Sequence, residues 1–145
     1  MRYAVLLLCF VLFACSDDSN PTVATGGNVN VADSSQIVTP PDWGAASLDG
    51  AYRVEIYTNW FVTVNGNTAT YSDNGRTGTC PVDVRRNGSY VWIELRGYGA
   101  YTPSGEWYRF LGTMSGSKIV GNAVFIMGVS NPAASRVLSV TWHRI

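Results

Sequence analysis

Three short turn signals constrain this chain more than any other feature it has. Asn65-Gly66 and Asn87-Gly88 each lie between runs of alternating apolar and polar residues, and Gly116-Ser117 does the same further on. Asn-Gly is the strongest short hairpin signal, because a type I′ turn needs positive φ at both central residues. Gly-Ser suits a type II′ turn, with glycine first. Folding the flanks together predicts a register at each turn. About Asn65-Gly66, Val62 faces Ala69 and Trp60 faces Tyr71, with Thr63/Thr68 and Phe61/Thr70 on the other side. About Asn87-Gly88, Val84 meets Val91 and Val82 meets Ile93, with Arg85/Tyr90 and Asp83/Trp92 opposite. About Gly116-Ser117, Met114 meets Ile119, Phe110 meets Ala123 and Tyr108 meets Phe125. In all three the apolar pairs collect on one face, and a one-residue slip would scramble them.

Adding Gly50–Tyr57 at the start and Arg136–Ile145 at the end gives about eight strands joined mainly by short turns. No segment shows helical periodicity. The chain is therefore predicted to be all-β, an antiparallel up-and-down barrel of about eight strands that removes exposed edges by closing on itself. A Greek-key β-sandwich is the alternative, because the longer stretches 73–81, 97–105 and 128–135 leave room to cross over. Gly112 and Gly121 fall opposite each other on the inner face, where a closing barrel needs a bend or a close approach. With aromatics at 12% and charged residues at only 14%, the composition suits such a domain better than disorder.

The N-terminus reads as an address. Met1-Arg2-Tyr3 is a short positive region and Ala4 to Ala14 is an uninterrupted apolar run, too short for the ~20 residues of a membrane-spanning helix. Leu12-Phe13-Ala14-Cys15 resembles a bacterial lipobox. The resemblance implies cleavage after Ala14 and lipidation of Cys15, which then anchors the protein to a membrane of the bacterial cell envelope. Ser16, not an aspartate, follows that cysteine, which favours the outer membrane. From Ser16 to Ser47 the chain is polar, carries Asp17, Asp18, Asp33 and Asp42 with no Lys or Arg, and reads as a flexible tether. The expected organisation is a signal peptide over 1–14, a lipidated cysteine and tether over 15–47, and a β-barrel over 48–145.

"LDGAYRVEI", Leu48 to Ile56, resembles the Gly-x-Trp opening strand of lipocalin-like (calycin) barrels, with Gly50 and Tyr52 at the motif positions. The resemblance implies that an arginine of the last strand, Arg144, packs across that opening to close the barrel. "PSGEWY" is similar to the Ser-Gly-x-x-Tyr loop of membrane-bound lysozyme inhibitors, through Ser104, Gly105 and Tyr108. That likeness implies a hydrolase-inhibitor barrel, and the lipocalin likeness a carrier of a small hydrophobic molecule.

Residues assigned to the inner face include Tyr52, Trp60, Tyr71, Tyr108, Phe110, Phe125 and Trp142. An eight-stranded barrel is only just wide enough for its own side chains, so the interior is expected to be filled, with a small pocket at one mouth as the alternative. Phe61, Trp92, Trp107, Leu111, Val124 and Ile126 point outward. A contiguous apolar patch of this kind marks a partner surface or membrane contact, unless the tether with Trp43 covers it. The candidate binding surface is Trp92, Trp107, Leu111 and Ile126, joined by Tyr98 and Tyr101 of the loop 97–105.

No catalytic constellation emerges. Glu55, Glu94 and Glu106 are scattered among arginines and read as cross-strand ion pairs on a solvated face. Cys80, placed in a loop before Pro81, has no histidine nearby, and a single histidine with one unpaired thiol makes neither a metal site nor a Cys–His dyad. The net charge is zero, so no basic field exists for nucleic acid. The expectation is a non-enzymatic binding module without cofactor or metal, meeting a protein partner or a small apolar ligand.

Overall fold

A computed structural model describes residues 29–56, 60–98, 106–127 and 137–145. One helical turn, α1 (Ser34–Val38), precedes a two-residue strand, β1 (Gly44–Ala45). The barrel strands follow: β2 (Gly50–Glu55), β3 (Trp60–Asn65), β4 (Thr68–Asp73), β5 (Arg76–Asn87), β6 (Tyr90–Tyr98), β7 (Glu106–Ser115), β8 (Lys118–Met127) and β9 (Leu138–Arg144). Each of β2 to β9 pairs antiparallel with its neighbours in the chain, and β9 returns to pair with β2. The result is a closed up-and-down barrel of eight strands, and the Greek-key alternative does not form.

The turn at Gly116-Ser117 and its pairs Met114/Ile119, Phe110/Ala123 and Tyr108/Phe125 lie where the sequence places them. The other two hairpins are shifted by two residues. Val62 pairs with Tyr71 and Val64 with Ala69 in one, and Val84 with Ile93 and Arg85 with Trp92 in the other. The cause is the turn type. Gly66 and Gly88 take the first central position with φ 58°, as Gly116 does at 59°, whereas the residues that follow them do not have positive φ. That is the type II′ pattern, not I′. A shift of two preserves the inward and outward assignment of every side chain, so the predicted core survives the error.

The stretch 73–81, expected to be a long loop, is instead a hairpin. Asn74 (φ 47°) and Gly75 (φ 82°) form the turn, Asp73 pairs with Arg76, and Cys80 lies buried within β5. Strand β5 changes partners midway. Residues up to Pro81 pair with β4 and those from Val82 pair with β6, while β1 continues beside Arg85 and Arg86 where β4 has ended. Pro81, with no N–H to offer a ladder, falls at the switch.

Aromatic side chains fill the interior. Trp60 meets Tyr108 edge-on with ring centroids 5.1 Å apart, Tyr52 meets Trp142 at 5.6 Å, and Phe125 lies 5.3 Å from Tyr108. Such tilted contacts suit the ring quadrupoles. Three of the polar handles are tied up internally: Trp142 Nε1 donates to the Tyr108 hydroxyl at 3.0 Å, and the Tyr52 hydroxyl donates to the Leu48 carbonyl at 3.0 Å. Gly112 and Gly121 mark a close backbone approach, because a Cβ on Gly121 would lie 2.1 Å from the Leu111 carbonyl oxygen.

Candidate functional site

Alternation along β6, β7 and β8 turns Trp92, Leu111, Val124 and Ile126 out of the barrel, as the sequence predicts. The structure nevertheless buries all four. Residues 29–43, read from sequence as part of a flexible tether, lie across this wall as a strap, which corrects the tether expectation for residues 29–47. Of the two readings of the outward patch, cover by this segment with Trp43 is the one that forms, so Trp92, Leu111 and Ile126 are not an exposed surface. The strap's anchor is Ile37, 0% exposed, packed in one cluster with those four side chains and flanked by Val29, Val31, Val38 and Trp43.

Local chemistry explains the strap's shape. Asp33 caps the helical turn by accepting from the Ser35 hydroxyl at 2.7 Å and the Ser35 N–H at 2.9 Å, and these two bonds, the hydroxyl's first, lower its carboxyl pKa. Thr39 is extended and ends the turn, as a residue before Pro40-Pro41 must. The wall then grips the strap's backbone. Trp92 Nε1 donates to the Ile37 carbonyl at 2.9 Å, Asn122 Nδ2 to the Val31 carbonyl at 2.9 Å, and Arg85 Nη1 to the Pro41 carbonyl at 2.6 Å. Arg109 Nη1 donates to the Val38 carbonyl. Four strands thus each supply one donor to a main-chain oxygen. These four bonds read backbone geometry rather than side-chain identity, and Ile37 is the strap side chain that the wall buries completely.

Beneath the strap, arginines and tryptophans alternate. The Arg85 guanidinium lies 5.8 Å from the Trp92 ring, Arg109 lies 6.0 Å from Trp92 and 5.1 Å from Trp107, and Arg96 lies 5.5 Å from Trp107. Glu94, opposite Arg109 in the register, binds Arg109 at 2.6 Å and also Arg96. It is a cross-strand ion pair, as expected, but it is 1% exposed and not on a solvated face. A buried carboxylate requires such pairing, since desolvation alone would disfavour its charge.

The remaining predicted residues divide. Trp107 is half-buried at the edge of the strap cluster. Tyr98 ends β6 opposite Glu106, just past an irregularity in the ladder. Tyr101, Ser104, Gly105 and Cys15 lie outside the described residues. Tyr108, the tyrosine of the inhibitor-like motif, is fully buried in the core, where it is a packing residue.

Gly50, Tyr52 and Arg144 do come together. Tyr52 and Arg144 are register partners, the Arg144 guanidinium lies against Gly50, and its Nη2 donates to the Asp49 carbonyl at 3.0 Å. Asp49 in turn accepts from the Ser47 hydroxyl at 2.7 Å and the Gly66 N–H at 2.6 Å. Those bonds hold its carboxyl below the usual range. Burial pushes the Cys80 thiol up to about 11, which makes it a poor nucleophile. Among the described residues no His/Cys/Asp/Glu group could hold a metal ion, and no helix is long and apolar enough to cross a membrane.

The geometry defines a closed β-barrel with a packed aromatic interior and an N-terminal strap across its outer wall. No family model matches the chain, and neither a curated protein nor a solved structure matches it. The likenesses in sequence therefore rest on the quoted residues alone.

Proposed function

We propose that this chain is a lipid-anchored protein of the bacterial cell envelope, held by Cys15 and directed to the outer membrane, whose barrel is a non-enzymatic binding module with its recognition surface outside the barrel. The filled interior carries the second half of this reading. A carrier of the lipocalin kind needs a cup, and here Trp60, Tyr108, Phe110 and Trp142 occupy that space. Recognition then belongs to the outer wall, the strap and the ends of the strands, for a protein partner or a small apolar ligand. The order of positive region, apolar run, cysteine and polar stretch supports the anchor.

Metabolic labelling with an alkyne-tagged fatty acid tests the anchor. Label is expected on the wild-type chain in the membrane fraction and absent from Cys15→Ser, which should move to the soluble fraction. Equal labelling of both chains, or none on either, would refute it. Photo-crosslinkers placed at Phe61 and Trp107 test the binding module, and recovery of no discrete adduct from intact cells at either position would count against it.

A further inference from the structure

The strap does not lie flush with the wall along its whole length. Between them is a hollow of about 620 Å³. Its apolar surfaces come from Val29, Pro40, Pro41 and Trp43 of the strap and Leu111 of the barrel, and Ser35, Gln36 and Thr39 form a polar rim. The volume is that of an ordinary small-molecule site, and so is the mixture of apolar walls with a few neutral polar groups.

Three features select the kind of occupant. First, among the described residues every lining side chain is uncharged. The arginines that grip the strap are already engaged, Arg85 on the Pro41 carbonyl and Arg109 on the Val38 carbonyl and Glu94. Second, Pro40 and Pro41 form a wall that has no N–H groups, so this stretch lines an apolar space without leaving a donor unsatisfied. The Pro41 carbonyl is held by Arg85. Third, Trp43 is braced by Tyr90, with ring centroids 6.4 Å apart, and gives the hollow a flat aromatic wall. The walls are preformed, because the strap's grips on Trp92, Arg109 and Arg85 do not depend on anything in the hollow.

We infer that this hollow is a binding site for a neutral, ring-bearing apolar small molecule, seated between Trp43 and the Pro40-Pro41 wall. The inference rests on the binding-module reading and gives it a site and a ligand class. The occupant would touch strap and barrel together, and so would hold the strap down. At a ligand concentration 100 times its dissociation constant, strap opening is suppressed about 100-fold.

The test uses the mature chain with Cys15→Ser, so that no acyl chain competes, and the neutral aromatic dye N-phenyl-1-naphthylamine. Saturable, one-to-one fluorescence enhancement is expected. Affinity should fall at least tenfold in Ser35→Phe, which fills the hollow, and in Trp43→Leu, which removes its aromatic wall. Thr63→Ser, exposed on the far wall, should bind as wild type does. Exchange of the Thr39 amide should slow as dye is added. Absence of saturable binding, equal affinity in all variants, or equally tight binding of the anionic 8-anilinonaphthalene-1-sulfonate would overturn the inference. Failure of the Cys15 labelling would leave this result untouched, since the purified variant carries no anchor in either case.

Discussion

Replacing Ile37 with alanine should release the strap without unfolding the barrel. Ile37 is completely buried, and the change removes three carbon-sized groups from the apolar cluster over Trp92, Leu111, Val124 and Ile126. At about 0.8 kcal/mol for each such group, the lost transfer free energy is about 2.4 kcal/mol, before any contribution from the cavity left behind. The four grips on main-chain carbonyls survive the substitution, because none involves the Ile37 side chain. The whole cost therefore falls on strap docking, and 2.4 kcal/mol corresponds to about a 50-fold rise in the open fraction. Native-state amide exchange reads this directly. The Thr39 N–H, bonded to the Ser35 carbonyl at 3.1 Å, and the Ala46 N–H, bonded to the Val84 carbonyl at 2.9 Å, should exchange about 50-fold faster. Amides in the paired β7 and β8 strands should keep their wild-type rates. Equal acceleration of strap and barrel amides would mean that the two open as one unit, and an unchanged Thr39 rate would mean that Ile37 is not the anchor. Either result refutes the reasoning.

Three further outcomes are expected. Gly121→Ala should lower the melting temperature sharply, with a cost at the upper end of about 1–3 kcal/mol or beyond, because its new Cβ meets backbone atoms of Leu111 and Gly112 that no rotamer change can move; a wild-type melt would contradict this. Glu94→Gln should lower the urea midpoint by an amount equivalent to about 3 kcal/mol, since it leaves Arg109, largely buried, without its counter-charge; an unchanged midpoint would show that the pair is not stabilising. Asp49, whose carboxyl pKa is depressed first by the Ser47 hydroxyl and then by the Gly66 N–H, stabilises the fold above its unfolded pKa and loses that contribution as pH falls through the folded value. Urea midpoints measured from pH 7 down to pH 2 should fall below about pH 4 in wild type, with a shallower fall in Asp49→Asn.

The barrel was readable because turn chemistry and side-chain alternation are local. Met114, Phe110 and Tyr108 find their predicted partners, and Gly112 finds Gly121. Around Gly66 and Gly88 the sequence leaves open which central position each glycine takes, a choice that shifts the register by two and leaves the faces intact. The Asn74-Gly75 turn carried the same signal as the others, but its flanks, Ser72-Asp73 and Arg76-Thr77, lack the apolar alternation that would have marked strands. The strap was illegible for a different reason. Val29, Val31, Ile37 and Val38 lie in a polar segment with no period, and their meaning depends on a wall assembled from four strands distant in the chain. The aromatic patch on that wall is visible in the sequence, and cover by the segment with Trp43 is one of its two readings, but nothing local chooses between them or points to Ile37. Glu94 looks like any surface glutamate until the strap crosses above it.

The strap also sets a radius of action. With Cys15 held at a bilayer, as proposed, a free stretch running to Leu48 would let the barrel range up to about 115 Å from its anchor, whereas a stretch that ends at Val29 allows only about 50 Å. The volume the barrel can sweep falls roughly tenfold between these limits, and its local concentration at the membrane face rises in proportion. On the proposed anchoring at Cys15, strap docking would act as a length control on the whole protein. On that proposal, whatever fixes or frees Ile37 would decide how far from the membrane face the barrel can reach.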